Sequence, residues 1–371
     1  MQQRHHSLLS ASPGTRREII SYHFGPESPR QVYIQAALHG DELPGMAVAW
    51  YLKNKLSTLE AAGHVRAQIT LVPVANPIAL GQHWHGTHLG RFDNASGQDF
   101  NRQFPTIGPA LAEVLAPQLT QDVIQNQKLI RRAISSWYAQ QTPTTELQSQ
   151  RNILMEMATQ ADLMIDLHCD WEALTHLYTT PQAWPDIEPL ARYLGSEVQL
   201  VADVSGGEPF DEACREPWGY LQHELGASFP LPQGLQPVTL ELRGVRDVSH
   251  QQAEQDADAI INALAQAGYL NVSPAPLPPL LNAAVPLAGC EYLSAPHAGV
   301  ILHRRDIGEW IHPGDVVADI LDPINDRLTP LVAEFGGRLY ARHWVRFATA
   351  GMLVSRLAGN GACRSGKLLV P

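Results

Sequence analysis

The feature that most constrains this chain is an alternation of short apolar runs with long amphipathic segments, sustained from about residue 31 to 270 and then abandoned. Runs at 31–38, 68–75 (QITLVPVA), 162–168 (DLMIDLH), 197–202 and 237–242 (PVTLEL) read as strands. The segments 43–62, 118–140, 145–160 and 249–267 carry the apolar spacing of helices. Strands alternating with helices predict an α/β fold, a sheet with helices on both faces. At 271 the texture changes to NVSPAPLPPLLNAAVP, whose five prolines between Pro274 and Pro286 read as a stiff linker. Beyond it come only β-rich runs with turn signals: HAGVILH, WIHPGDVVADIL, GGRLYARH and MLVSRLAG. The expected organisation is a large α/β domain over 1–270, a Pro-rich linker over 271–286 and a small all-β domain over 287–371. A length of 371 residues suits one large core and one small one.

The net charge of −11 and the lack of a basic cluster speak against a nucleic-acid partner, whose affinity rests on neutralised phosphates. An anionic ligand of this chain must find positive charge locally. No window approaches ~18 uninterrupted apolar residues, and the opening MQQRHHSLLSASPGTRR lacks the apolar core of a signal peptide. The expectation is a soluble protein without an export signal or membrane partner. Cys169, Cys214, Cys290 and Cys363 lie far apart with no C-x-x-C pair, which suits reduced thiols in the cytoplasm. Cys169 reads as a buried, inert thiol.

Within this frame the stretch LHGDELPG at 38–45 sits between the first strand and a helix opening on Pro44. His39 and Glu42, three apart at a strand end, can converge on one metal ion. His168 ends the run LMIDLH, and Glu241 lies in PVTLELRG. In open α/β sheets, ligands bind beyond the carboxyl ends of the strands, and His39 and His168 both lie at such ends. Two His and one Glu with an open fourth position make a catalytic zinc set, and a Glu outside the set can act as base. Glu241 takes that part, because an acid inside an apolar strand is costly without a task or a partner. An ion pair with Arg243, on the same strand face by the period of two, is its alternative reading. The stretch GRFDNASGQDFNRQFP at 90–105 places Arg91, Asn101 and Arg102 close together, enough to grip a carboxylate and polarise a carbonyl; a polar surface loop is the other reading.

HGDE, R…DFNRQFP, a strand-ending DLH and LELRG, in that order, resemble the zinc carboxypeptidase (M14-like) superfamily, and within it the succinylglutamate desuccinylase/aspartoacylase family. The resemblance implies a carboxypeptidase-like mixed sheet, with AGVILHRRDIGEWIHPGDVVADILD looking like the lipoyl-type, barrel-sandwich appendage of many relatives. It implies His39, Glu42 and His168 as ligands of one zinc per chain and Glu241 as the base that activates water. Arg91 matches the oxyanion-stabilising arginine, and Asn101 and Arg102 match the carboxylate clamp. Asp99 matches a carboxylate outside the ligand set that orients the first His ligand. The implied activity is hydrolysis of an amide bond in a small carboxylate-bearing molecule, an N-acyl amino acid. A metallocarboxypeptidase on short peptides and a non-catalytic binding protein that kept the fold remain alternatives.

The chain departs from the commoner N-R-x-F-P-G ending, since FPTIGP lacks the immediate Gly, and the β domain lacks the lysine of a swinging-arm cofactor. GACRSGKL at 361–368 fits a phosphate-loop spacing but has Leu where Ser/Thr belongs. HWHGTH at 83–88 reads as a loop lining the active-site mouth or as surface histidines. Oligomeric state stays open, a homo-oligomer included.

Overall fold

The computed structural model describes residues 1–369. A nine-stranded mixed sheet runs in the order Gln2–Ser7, Glu18–Phe24, Gln68–Val72, Gln31–Ala36, Leu163–Asp170, Gln236–Gly244, His176–Thr179, Val198–Val201, Val285–Pro286. The four central strands, from Gln68–Val72 to Gln236–Gly244, pair in parallel. Their carboxyl ends therefore open on one crevice.

Each face of the sheet carries its own apolar core. On one side Ile34, Ile165, Leu167 and Leu240 pack against helices Pro44–Ala61, Trp184–Leu194 and His250–Gln266. On the other, Tyr33 and Met164 pack against Gly108–Leu115, Val123–Ala139, Glu146–Ala158 and Phe210–Leu225. The strand Leu163–Asp170 is buried along its whole length, as a strand covered on both faces must be. Gly45 lets the helix from Pro44 start against that strand, since a Cβ there would lie 2.8 Å from the Leu167 carbonyl oxygen. The expected helices appear at Pro44–Ala61, Val123–Ala139, Glu146–Ala158 and His250–Gln266.

From Cys290 onward the described chain forms two further sheets. One orders Cys290–Ser294, Leu353–Ala358, Gly337–Arg342 and Trp310–Ile311; the other Arg327–Val332, Val316–Asp322, Gly299–His303 and Phe347–Ala348. They enclose a core of Leu293, Ile301, Ile311, Val317, Ile320 and Leu339 among others. The two regions are joined closely. Glu172–Ala173, just beyond the strand Leu163–Asp170, pairs with Gly337–Arg342, and Val285–Pro286 adds an edge to the large sheet. No helix of the described residues is long and apolar enough to cross a membrane.

Candidate active site

The site begins with alternation along the strand Leu163–Asp170. Met164, Asp166, His168 and Asp170 share one face, while Ile165 and Leu167 point into the opposite core. His168 thereby projects at the carboxyl end of the central strand. His39 and Glu42 arrive from the neighbouring strand by a turn after Ala37, whose φ of 58° ends the strand early. That turn packs tightly on the loop around Gly90: Gly40 N–H donates to the Gly90 carbonyl at 2.9 Å, and a Cβ on Gly90 would strike the Asp41 backbone.

Both imidazoles turn Nδ1 to one carboxylate. His39 Nδ1 is 2.8 Å from Glu42 Oε1, and His168 Nδ1 is 2.7 Å from Glu42 Oε2. The second nitrogens face other acids: His39 Nε2 is 2.9 Å from Asp99 Oδ1, and His168 Nε2 lies 3.0 Å from Asp166 Oδ2. An acid beside each Nε2 keeps a proton on that nitrogen, so that Nδ1 can release its own proton to a metal ion and offer the lone pair instead. One donor atom from each of His39, Glu42 and His168 lies within 4.8 Å of the others, and all three residues are buried. Two imidazole nitrogens and a carboxylate, each imidazole backed by an acid, are a donor set that fits a divalent metal ion.

The charges reinforce one another. Burial works against the Glu42 carboxylate, but His168 and His39 outweigh it and hold its pKa well below the usual range. Burial likewise opposes a charged His168, and Asp166 and Glu42 together overcome it and raise its pKa well above the ordinary value.

Glu241 is the Cα partner of His168 across the parallel pair, so both side chains emerge on the same face. Its Oε2 is buried with no hydrogen-bond partner among the described residues. Burial first and the Glu42 charge second push its carboxyl up to about 8. The alternative ion pair with Arg243 does not form. A register shift follows Glu241, Arg243 takes a φ of 66°, and its guanidinium pairs with Asp256 instead. The bulge breaks the period of two on which that alternative rested.

Arg91 stands over the triad, its Nε 3.3 Å from Asp99 Oδ2 and its Nη1 4.0 Å from Glu42 Oε1. Asn101 Oδ1 accepts from Phe210 N–H at 2.8 Å, capping the first turn of helix Phe210–Leu225 and leaving its amide hydrogens as the free donors. The Arg102 side chain bonds back to the Asn101 carbonyl at 2.7 Å, while its buried Nε finds no partner and no carboxylate of the described residues pairs with it. The loop's backbone is held by Arg151, which donates to the carbonyls of Asp99 at 3.1 Å and Arg102 at 2.8 Å. His39, Glu42, Arg91, Asn101, Arg102, His168 and Glu241 all line one cavity of about 730 Å³, with Asp99 directly behind His39.

Of two other sequence features, one lies outside the cavity and one, Cys169, in its wall. HWHGTH forms a small hairpin, His83–Trp84 with Thr87–His88, outside the cavity lining. Cys169 is buried, and burial drives its thiol pKa far up, as an inert thiol requires. The segment after Gly366 instead meets the cavity: Leu368 N–H bonds to the Ser205 carbonyl at 2.8 Å, and Leu369 lines the wall.

Residues 28–129 match the succinylglutamate desuccinylase/aspartoacylase catalytic domain. The family resemblance is borne out. Solved structures share the desuccinylase/aspartoacylase fold over nearly the full length. A succinylglutamate desuccinylase/aspartoacylase family protein from Shewanella amazonensis is 24% identical with a TM-score of 0.84, covering 96% of this chain and 98% of that one. One from Shewanella frigidimarina is 23% identical with a TM-score of 0.82, covering 97% of each. The ectoine utilization protein EutE from Ruegeria pomeroyi, solved with product bound, is 15% identical with a TM-score of 0.67, covering 97% of this chain and 95% of that one. No curated protein matches by sequence.

Sequence reasoning missed Asp166, although its place two residues before His168 on one strand face was a usable signal. Tyr33 O–H donates to Gln35 Oε1 at 2.8 Å, and Gln35 donates to Asp166 Oδ1 at 3.0 Å, which leaves the other oxygen at ion-pair distance from His168 Nε2, outside hydrogen-bond geometry. Asp166→Asn is therefore expected to weaken metal binding by roughly 10- to 100-fold. Titration against a competing chelator measures it, and wild-type affinity would leave Asp166 a purely structural acid.

Proposed function

We propose that this chain is a zinc-dependent amidohydrolase acting on a small carboxylate-bearing substrate, an N-acyl amino acid. The observation that carries the reading is the convergence of three metal-type donors beside a buried, unpartnered glutamate. His39, Glu42 and His168 would hold the zinc, which when bound supplies Lewis acidity and draws the pKa of water down toward ~7. Glu241 takes a proton from water as water adds to the amide carbonyl, and returns it to the leaving nitrogen. Its position on the catalytic face, with one oxygen free of partners, suits a group that must both accept and release a proton. Arg91, braced by Asp99, presents its guanidinium where negative charge develops on the carbonyl oxygen. The Asn101 amide and the unpaired Arg102 guanidinium hold the substrate carboxylate.

The cavity of about 730 Å³ is roomier than a small acyl amino acid requires and favours, as a second reading, a carboxypeptidase acting on short peptides. Metal analysis combined with a panel of N-succinyl and N-acetyl amino acids against di- and tripeptides decides between them. Turnover confined to the acyl amino acids supports the first reading, peptide cleavage the second, and a zinc-loaded protein inert on both would point to a binding role.

The clamp makes its own prediction. Arg102→Ala removes a charge-assisted contact of roughly 1.5–3 kcal/mol, or about one to two decades in kcat/KM. Wild type should prefer an acid substrate over its carboxamide, and Arg102→Ala should hardly distinguish them. Arg102→Lys should recover only part of the preference, because an ammonium lacks the planar fork. An undiminished preference for the acid in Arg102→Ala would remove the clamp assignment.

A further inference from the structure

The strand that carries His168 does not end in solvent. Asp170 lies two residues on, on the same face, and its Oδ1 accepts from Trp171 N–H at 2.8 Å. Its Oδ2 forms an ion pair with Nη1 of Arg356, a residue 186 positions away on strand Leu353–Ala358 of the β region. Arg356 lies against two aromatic rings, its guanidinium carbon 4.6 Å from the Trp171 centroid and 5.6 Å from that of Tyr292. Side-chain exposure is only 12% for Arg356 and 6% for Asp170, yet both reach the lining of the cavity.

Two further contacts tie the same stretch to the β region. Glu172 and Ala173 pair with Arg342 and Ala341, and Leu174 N–H donates to the Tyr340 carbonyl at 2.9 Å. Asp170 is also the residue at which the catalytic strand regains its partner. The parallel ladder with Gln236–Gly244 is interrupted after Glu241 and resumes at the pair Gly244–Asp170. Both strand ends that present His168 and Glu241 thus close on Asp170, and Asp170 closes on Arg356.

A bulged ladder that has lost its regular hydrogen bonds is a soft place to mount a proton-transfer group. A buried guanidinium that is ion-paired and lies over aromatic rings is among the more rigid cations a protein can offer. An arginine in a cavity wall could serve a substrate anion directly, but this one is already neutralised by Asp170 and covered by rings. We propose that Arg356 is a positioning residue of the candidate active site: from the β region it anchors Asp170 and so fixes the adjoining strand ends that carry His168 and Glu241. The β region is then a working part of the site. The inference rests on the hydrolase reading for its kinetic test and on geometry alone for its structural one.

The test compares Arg356→Met, Arg356→Lys, Asp170→Asn and the double variant Asp170→Asn/Arg356→Met in the full, zinc-loaded chain. The substrate is whichever acyl amino acid of the panel the wild type turns over fastest. In Arg356→Met, kcat is expected to fall by roughly tenfold or more while KM moves by less than about threefold and zinc stays at one per chain. Amide hydrogen exchange should quicken at 168–173 and 241–245 and stay unchanged in the strands Gln31–Ala36 and Gln68–Val72. Arg356→Lys should restore part of kcat. The double variant should be no worse than the poorer single one, because the two side chains act as one unit.

Unchanged kcat and exchange in a folded, metal-loaded Arg356→Met overturns the proposal. So does a raised KM at constant kcat, which would make Arg356 a substrate contact. Should Arg356→Met fail to fold, Arg356→Lys and Asp170→Asn decide the matter by the same readings. If the wild type hydrolyses nothing in the panel, the hydrolase reading fails, while the exchange data still judge the anchoring role.

Discussion

Replacing His168 by alanine should strip the metal and the activity together. Among the described residues three side chains converge as metal-type donors, two from the turn at 39–42 and one from the central strand, and the folded state alone brings them within 4.8 Å. Structural zinc sites release binding energies of order 10 kcal/mol or more, so losing one of three protein ligands should cost on the order of 10³-fold in affinity. The same change removes one of the two imidazoles that hold the buried Glu42 carboxylate, leaving a charge with half its compensation. Some loss of thermal stability should therefore accompany the metal loss. Zinc per chain after dialysis, with circular dichroism on the same sample, gives the answer. A folded His168→Ala protein that keeps a full equivalent of zinc would take His168 out of the ligand set.

The core strands were readable because burial on both faces forces a continuous apolar run, and the acids and histidines that interrupt such a run are conspicuous. Leu163–Asp170 shows this: DLMIDLH announces both a strand and His168 at its end. The outer strands gave no such signal. Gln2–Ser7, QQRHHS, is an almost wholly exposed edge, held by its partner Glu18–Phe24 rather than by any apolar face of its own. Helix Phe210–Leu225 was hidden by Pro217 and Gly219 within REPWGY, residues that ordinarily break a helix, and packing of Phe210, Cys214, Trp218 and Leu221 sustains it. It matters to the site because Asn101 caps it.

Among site residues, those announced by short spacing could be found, as with His39 and Glu42 or Asn101 and Arg102. Those joined only through the fold could not. Arg151 grips the loop of Asp99 and Arg102 from a distant helix, and Arg356 meets Asp170 across 186 positions. The period of two misled once, at Arg243, because a bulge follows Glu241 and local sequence does not announce it.

That bulge bears on the second large effect, in Glu241→Gln. Glutamine matches glutamate in size and keeps the strand register, but it can neither take a proton from water nor return one to a leaving nitrogen. Glu241 is absent from the three converging donors, so the zinc content of Glu241→Gln should equal that of wild type. Turnover should fall by ~10²-fold or more, in kcat more than in KM, since proton transfer belongs to the transition state and the proposed substrate clamp is untouched. Stability should hold or rise slightly. The variant trades a buried carboxylate, pushed up to about 8 by burial and by the Glu42 charge, for a neutral amide, and the burden of ionising it in place disappears. The sign is definite: a carboxyl whose folded pKa lies above its unfolded value costs stability as pH rises above the unfolded value. In the metal-free proteins the gap in melting temperature between Glu241→Gln and wild type should therefore widen in the variant's favour from pH 5 to pH 8. Loss of zinc would make Glu241 a ligand, and unchanged turnover would make it structural; either result removes the base from the proposed reaction.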